Sequence, residues 1–346
     1  MTQDDTLEVC DPQRLVTSPL VSVLMITYNH AEYLAEAIES VVGQKCDFPF
    51  ELIVGEDASS DATRRIALDY QRRYPDIVRV VYSQSNVGMN ANALRIFSRA
   101  RGEYVAYCEG DDFWSLQDKL AKQVALIESD QAVGIVHTDW TRASLKKGRW
   151  HYDIERSAHA RVPSIYLSGY LFQTWHYPKI LRTCTLLLRR RTMSDWYQSG
   201  IMDDQYLFGD SVLSAWVTSL WKVAYIPAVT AVYRVSPNSA LRSGAKSRVL
   251  FYRSALQFDT AARLFFANSA DYPSGYRWES SIGLLLWGAR ACDGSAIRFA
   301  LVDLRRHFAI SDFFATALKA VAMRLPSIRR QRRDSCGSVS LRSSEP

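Results

Sequence analysis

An α/β fold with a mostly parallel, doubly wound sheet is predicted by three observations on this 346-residue sequence. Short β-branched runs alternate with helical patterns through the first half, the residues just after those runs are polar and acidic, and the pattern turns helical from about Ser247 onward. In a parallel sheet ligands bind outside the C-terminal ends of the strands, so those polar residues are the ones that matter for function.

VSVLMIT, ending at Thr27, reads as the first strand, AEYLAEAIESVV as its helix, ELIV as the second strand and ATRRIALDYQRRY as the second helix. IVRVVYS, NALRIFSRA and YVAYC continue as strand, helix and strand. KLAKQVALIESD is helical and leads into a strand, GIVHTDW, after which residues 141–180 are aromatic, charged and irregular. A strand TCTLLLRR, an acidic turn from Met202 to Asp210, a helix SVLSAWVTSLW and a strand KVAYIPAVTAVYR follow. FYRSALQFDTAARLFF and ISDFFATALKAVAMRL carry apolar residues at helical spacing. The organisation expected is an N-terminal extension over 1–19, a main domain over 20–240, a helical region over 241–330 and a disordered, Ser- and Arg-rich tail over 331–346.

Composition narrows the class. Hydrophobic residues make up 48%, enough for a sizeable core. The net charge of +6 is concentrated near the C-terminus, where Arg324, Arg329, Arg330, Arg332 and Arg333 cluster. No nucleic-acid partner is expected, but that basic region suits peripheral contact with an anionic membrane. The six cysteines are far apart and form no C-x-x-C pair, which argues against a zinc knuckle or a disulfide framework and for a reducing, cytoplasmic location. The acidic start MTQDDTLEVCDP does not read as a secretory signal, and no apolar run reaches the roughly 18 residues of a membrane span.

At the strand ends, Thr27, Tyr28, Asn29 and His30 are placed where a base or ribose could rest. Glu56 and Asp57 can accept hydrogen bonds from a ring N–H or a ribose hydroxyl, whereas Ser59, Ser60 and Asp61 suit capping of the next helix. YVAYC runs into Glu109, Gly110, Asp111 and Asp112, and three carboxylates in four positions repel one another unless a cation neutralises them. Oxygen ligands point to Mg²⁺ or Mn²⁺ rather than zinc. A solvated acidic turn is the bland alternative. Neither G-x-G-x-x-G nor G-x-x-x-x-G-K-[ST] occurs, which disfavours a dinucleotide dehydrogenase and a P-loop NTPase.

VSVLMITYNHAEYLAEAIESVVGQ, ELIVGEDASSDAT, NVGMNANALRIF, ARGEYVAYCEGDDFW with KLAKQV behind it, and later GD followed by KVAYIPAVTAVYR, resemble family-2 glycosyltransferases over roughly residues 20–240. The resemblance implies the GT-A fold, a Rossmann-like mixed, mostly parallel sheet flanked by helices, here with a C-terminal helical extension. It also implies transfer of a sugar from a nucleoside diphosphate donor, usually UDP-linked, with inversion at the anomeric carbon. The acceptor is expected to be a glycan or a lipid-linked species, as in bacterial cell-surface polysaccharide synthesis. Carried over by position, Thr27, Asn29, Glu56, Asp57, Asn86, Asn92 and Glu109 are the nucleotide-side residues, with Asp111 as ligand to Mn²⁺ or Mg²⁺.

Glu109 stands where the family has the first aspartate of D-x-D. Asp210 matches the position of the base that accepts the acceptor proton, with Asp203 and Asp204 weaker candidates and an ordinary N-cap the competing reading. The histidine often found after the Y-R pair is absent, since Tyr233 and Arg234 precede Val235 and Ser236. Trp114, Trp175 and Tyr233 are candidates to stack on a sugar ring, against ordinary core roles. A nucleotidyltransferase would need a glycine-rich basic loop after the first strand, which TYNHAEYL does not supply. A non-catalytic nucleotide-binding module would have no need of both Asp111 and Asp210.

Overall fold

Alternation of period two in VSVLMIT sends Val21, Val23 and Met25 to one face of a sheet and Leu24 to the other, and all four are buried. The neighbouring strands repeat the pattern, so a hydrophobic layer forms on each side. The computed structural model describes residues 6–146, 149–154, 156–176, 179–235, 244–267, 272–273 and 275–307. Its strands are β1 (Leu7–Val9), β2 (Val21–Thr27), β3 (Phe50–Glu56), β4 (Val78–Tyr82), β5 (Tyr104–Tyr107), β6 (Phe113–Trp114), β7 (Val133–Lys146), β8 (Arg149–His151), β9 (Leu187–Arg189) and β10 (Lys222–Val235). Its α-helices are α1 (Leu34–Val42), α2 (Thr63–Arg73), α3 (Met89–Phe97), α4 (Lys119–Glu128), α5 (Arg190–Gln198), α6 (Asp210–Leu220), α7 (Ala245–Phe265), α8 (Gly275–Arg290) and α9 (Gly294–Arg306).

Among the described residues one ten-stranded sheet runs in the order β1, β4, β3, β2, β5, β9, β7, β10, β6, with β8 paired to β7. β4, β3, β2 and β5 are mutually parallel, as are β7 and β10, while β9 lies antiparallel between β5 and β7. The margins are short and antiparallel, with three residues of β1 on one side and two of β6 on the other. Leu34, Ala37, Ile38 and Val41 of α1 and Leu120, Val124 and Ile127 of α4 cover one face; Ile96 of α3, Met193 of α5 and Val212 of α6 cover the other. Each of these side chains other than Ala37 contributes about 1.5–3 kcal/mol when buried.

Three features depart from the sequence reading. TCTLLLRR is a strand only over Leu187–Arg189, because Thr185 donates its N–H and hydroxyl back to the Arg182 carbonyl and closes a 3₁₀ turn, and Arg190 already starts α5. GIVHTDW continues without a break to Lys146, held parallel against β10, so the irregular stretch begins later than Thr141. Finally, β1 draws part of the N-terminal extension into the sheet. Pro227, which has no N–H to donate, falls where the β7–β10 register shifts. The helical extension over 244–307 is α7 to α9. ISDFFATALKAVAMRL, the Arg324–Arg333 cluster and the tail over 331–346 lie outside the described residues.

At the strand beginnings, away from the ligand-binding rim, a charged network ties four strands together. The fully buried Glu51 accepts from the Ser22 hydroxyl at 2.6 Å, from Arg79 at 2.9 Å and from the backbone and guanidinium of Arg101 at 2.7 to 3.0 Å. Arg79 also reaches Glu8 of β1 at 2.7 Å. Burial pushes the Glu51 carboxyl up, but the Arg101 and Ser22 hydrogen bonds outweigh it and hold the group below its ordinary value.

Glu51→Gln is expected to cost about 3–5 kcal/mol of unfolding free energy at neutral pH, since two arginines lose a buried partner. A carboxyl with a depressed folded pKa stabilises fully above its ordinary value of 4.5 and loses that stabilisation as the pH falls below it. Denaturant titrations should therefore show the two proteins converging in acid; a constant gap down to pH 3 would refute the assignment.

Candidate active site

Because β2, β3 and β5 are parallel neighbours, their C-terminal ends bring Thr27, Glu56–Asp57 and Glu109–Asp112 to one rim. The backbone fixes the spacing: Thr27 is the Cα partner of Glu56, the Asp57 N–H donates to the Thr27 carbonyl at 3.1 Å, and the Gly110 N–H donates to the Ile26 carbonyl at 3.0 Å. A Cβ on Gly110 would lie 2.7 Å from Thr27 Oγ1, so only glycine lets the acidic turn pass this close to β2. Thr27 Oγ1 is buried and has no hydrogen-bond partner.

Asp57 organises the loop over Asn86–Gly88. Its two carboxylate oxygens accept the N–H groups of Val87 and Gly88, each at 2.9 Å, and its carbonyl accepts from the Asn86 amide at 3.0 Å. Glu56, in contrast, is fully enclosed beneath the loop, with its oxygens taken by the Ser59 N–H and by Arg64, each at 2.6 Å. Asn92 is likewise buried, donating to the Gly55 carbonyl at 2.8 Å and accepting from Arg95 at 2.7 Å, which pins α3 against β3. Asn29 has a positive φ of 54°, and its side chain accepts from Ser60 at 2.9 Å. Glu56 and Asn92 thus shape the rim through internal hydrogen bonds, whereas Asn29 stays exposed, with its side-chain oxygen tied to Ser60. Asp61 accepts from the Thr63 and Ala31 N–H groups just ahead of α2, whose N-cap position falls on Ala62.

The acidic turn is crowded. Burial pushes the half-buried Glu109 carboxyl up to about 7; a hydrogen bond from Thr183 opposes the rise, and the charges of Asp111 and Asp210 add to it. Its Oε2 is buried without a hydrogen-bond partner. Asp111 is the more open of the two adjacent aspartates, 31% exposed at the side chain, with His30 Nε2 3.9 Å from its carboxylate. Asp112 is turned inward, where burial and its acidic neighbours drive its pKa well above the ordinary value. Ligand atoms of Glu109, Asp112 and Cys184 come within 4.8 Å of one another. Burial raises the Cys184 thiol as well, so it stays protonated and is a poor donor to a hard ion.

Arg234, at the end of β10, holds this turn in place and was not singled out from the sequence. Its N–H donates to Asp112 at 2.8 Å and its guanidinium to the Asp111 carbonyl at 3.1 Å, while the same guanidinium pairs with Glu36 of α1. The only hint in the sequence was its place in a Tyr-Arg pair at a strand end. Asp210 is the first residue of α6 and is exposed, with Oδ1 accepting the N–H of its neighbour Ser211 at 2.7 Å. Its charge acts on Glu109, and it lines a narrow cleft with Trp175, Arg182 and Ser214. Asp203 instead accepts from the Gln205 N–H in a turn. Trp114 is a core residue, 4% exposed, and Trp175, 5% exposed, is largely enclosed but lines the cleft beside Asp210.

With this geometry in view, the comparisons with known proteins are consistent with one another. An uncharacterized protein of Mycobacterium tuberculosis is 45% identical over 108 residues, 31% of each chain. EpsE of Bacillus subtilis, provisionally named a glycosyltransferase, is 38% identical over 122 residues, 35% of this chain and 43% of that protein. The chain thus spans less than half the length of these relatives. The mannosyltransferase PcManGT of Pyrobaculum calidifontis, solved with GDP-mannose and Mn²⁺, shares the fold at a TM-score of 0.50 and 18% identity, covering 89% of this chain and 86% of that one. The family described as Glycosyl transferase family 2 matches residues 22–195, half of the sequence, and the chain belongs to that family.

Proposed function

We propose that this chain is an inverting glycosyltransferase, moving a sugar from a UDP-linked donor to a hydroxyl of a glycan or lipid-linked acceptor in cell-surface polysaccharide synthesis. The observation that supports this reading is the acidic turn Glu109–Asp112, which follows β5 on the rim shared with β2 and β3, with the charges of Asp111 and Asp210 both acting on the Glu109 carboxyl. Family membership supports a nucleotide-sugar donor. Among the described residues no helix is long and apolar enough to cross a membrane, so contact with a lipid-linked acceptor would be peripheral, at the cytoplasmic face, through the basic region around Arg324–Arg333.

A divalent cation fits the donor set. Glu109 and Asp111 supply carboxylate oxygens, Glu109 Oε2 is buried with no partner among the described residues, and a cation would offset both the burial of the Glu109 carboxyl and the charge of its acidic neighbours. Glu109 and Asp111 would hold Mn²⁺ or Mg²⁺, which when bound neutralises charge gathering on the departing diphosphate. The remaining steps belong to the chain. Asp57, with the Asn86–Gly88 loop it clamps, orients the base, and Thr27 Oγ1 offers a hydrogen bond at the rim. Asp210 accepts the proton of the acceptor hydroxyl as that oxygen attacks the anomeric carbon from the face opposite the diphosphate. A single displacement inverts the configuration.

Two variants separate these roles. UDP with Mn²⁺ should raise the melting temperature of the native protein, and at a hundredfold excess over Kd this corresponds to about 2.7 kcal/mol. Asp111→Asn should remove the Mn²⁺-dependent part together with transfer; undiminished stabilisation would sink the metal assignment. Asp210→Asn should keep UDP affinity by calorimetry within about twofold while transfer falls by roughly 10²–10⁴. Loss of UDP binding from a folded Asp210→Asn protein would give that carboxylate a different role.

A further inference from the structure

Arg182 differs from the other enclosed arginines of this protein. Arg79, Arg234 and Arg277 each pair with a carboxylate, of Glu51, Glu36 and Asp303 respectively, and Arg189 donates to the carbonyls of Val133 and Ile127. Among the described residues Arg182 makes no ion pair and no side-chain hydrogen bond, and its Nε is buried without a partner. Yet its guanidinium is held in a fixed place. It lies 5.1 Å from the ring centre of Trp140 on β7 and 4.9 Å from that of Tyr233 on β10, two rings that pack edge to face. Aromatic faces orient a guanidinium without neutralising it, so its donors stay available to an anion.

The anion would arrive from a defined side. Arg182 lines a narrow cleft together with Lys179, Trp175, Asp210, Ser211 and Ser214. Lys179 is exposed and, among the described residues, has no carboxylate partner, lying 5.6 Å from the Phe251 ring centre. Two cations therefore share a wall with the proposed base. In an inverting displacement the base and the incoming hydroxyl lie opposite the departing diphosphate, so a cleft that contains Asp210 belongs to the acceptor rather than to the donor phosphates.

We infer that the acceptor carries an anionic group, a carboxylate or a phosphate, which seats on Arg182 with help from Lys179 and so presents a neighbouring hydroxyl to Asp210. The inference rests on the proposed role of Asp210. A planar guanidinium grips either anion through two parallel hydrogen bonds, and the low polarity of the Trp140–Tyr233 seat strengthens them. A neutral sugar would leave the charge of Arg182 unmatched, so the site selects against it.

The test uses the full chain saturated with UDP and Mn²⁺, with glucose, glucuronate and glucose 1-phosphate as probes titrated by calorimetry. At least one anionic probe is expected to bind about tenfold or more tightly than glucose, as one charge-assisted contact provides. Whichever anion wins distinguishes a uronate-bearing glycan from a phosphate-bearing acceptor. Arg182→Gln should abolish the preference and Lys179→Ala should reduce it about threefold, as for a partly exposed pair. Both variants should bind UDP as the native protein does. Equal binding of all three probes would overturn the inference, and so would variants that weaken UDP while leaving the sugars untouched. Should Arg182→Gln fail to fold, the exposed Lys179→Ala decides the matter, and an unchanged preference in it counts against the site. Failure of the native protein to bind UDP would instead refute the proposed donor chemistry, and the probe preference could still be read without UDP.

Discussion

Mutual repulsion among carboxylates is the constraint around which the rest of this molecule is arranged. Glu109, Asp111 and Asp112 follow one another on a single turn, and Asp210 adds its charge from α6. Burial raises the pKa values of Glu109 and Asp112, and the charges of their acidic neighbours add to the rise. A cation would offset both effects.

Keeping the carboxylates together requires restraint from several directions. β6 follows the turn directly and pairs with β10, so Arg234, two to three residues beyond that pairing, meets Asp111 and Asp112 from the other end. Its link to Glu36 joins the turn to α1, and Gly110 allows the turn to sit against Thr27. The Glu51 network does comparable work at the opposite end of the strands, where Ser22, Arg79 and Arg101 fix β2, β3 and β4 relative to one another. Rigid strand beginnings and a crowded rim are two ends of the same parallel sheet.

The parallel core was legible because each strand from β2 to β5 carries its own hydrophobic run and is followed by polar residues; VSVLMIT coincides with Val21–Thr27. Elements whose identity depends on distant partners were not. β9 is three residues long and owes its existence to β5 and β7 on either side, while α5, with the sequence RRTMSDWYQ, shows its apolar stripe only once Met193 and Trp196 are seen to be buried. The rim followed the same rule. Asp57 and the acidic turn could be placed from strand ends alone, but the hydrogen bond between Arg234 and Asp112 spans 122 positions and leaves no local trace. Glu56 and Asn92 looked like ligand contacts because they stand next to the rim, and only the positions of Arg64, Arg95 and Gly55 reveal them as internal braces.

The two margins of the sheet bear on how the molecule behaves in a crowded solution. A long bare strand at either side would present a ladder of unpaired amides to any passing chain and invite sheets to join into larger aggregates. Here β1 stops after Leu7–Val9 and β6 after Phe113–Trp114, so neither offers a template of useful length. Glu8 further places an ionisable group on the first of these. The brevity of these outermost strands limits the ladder that each of them presents.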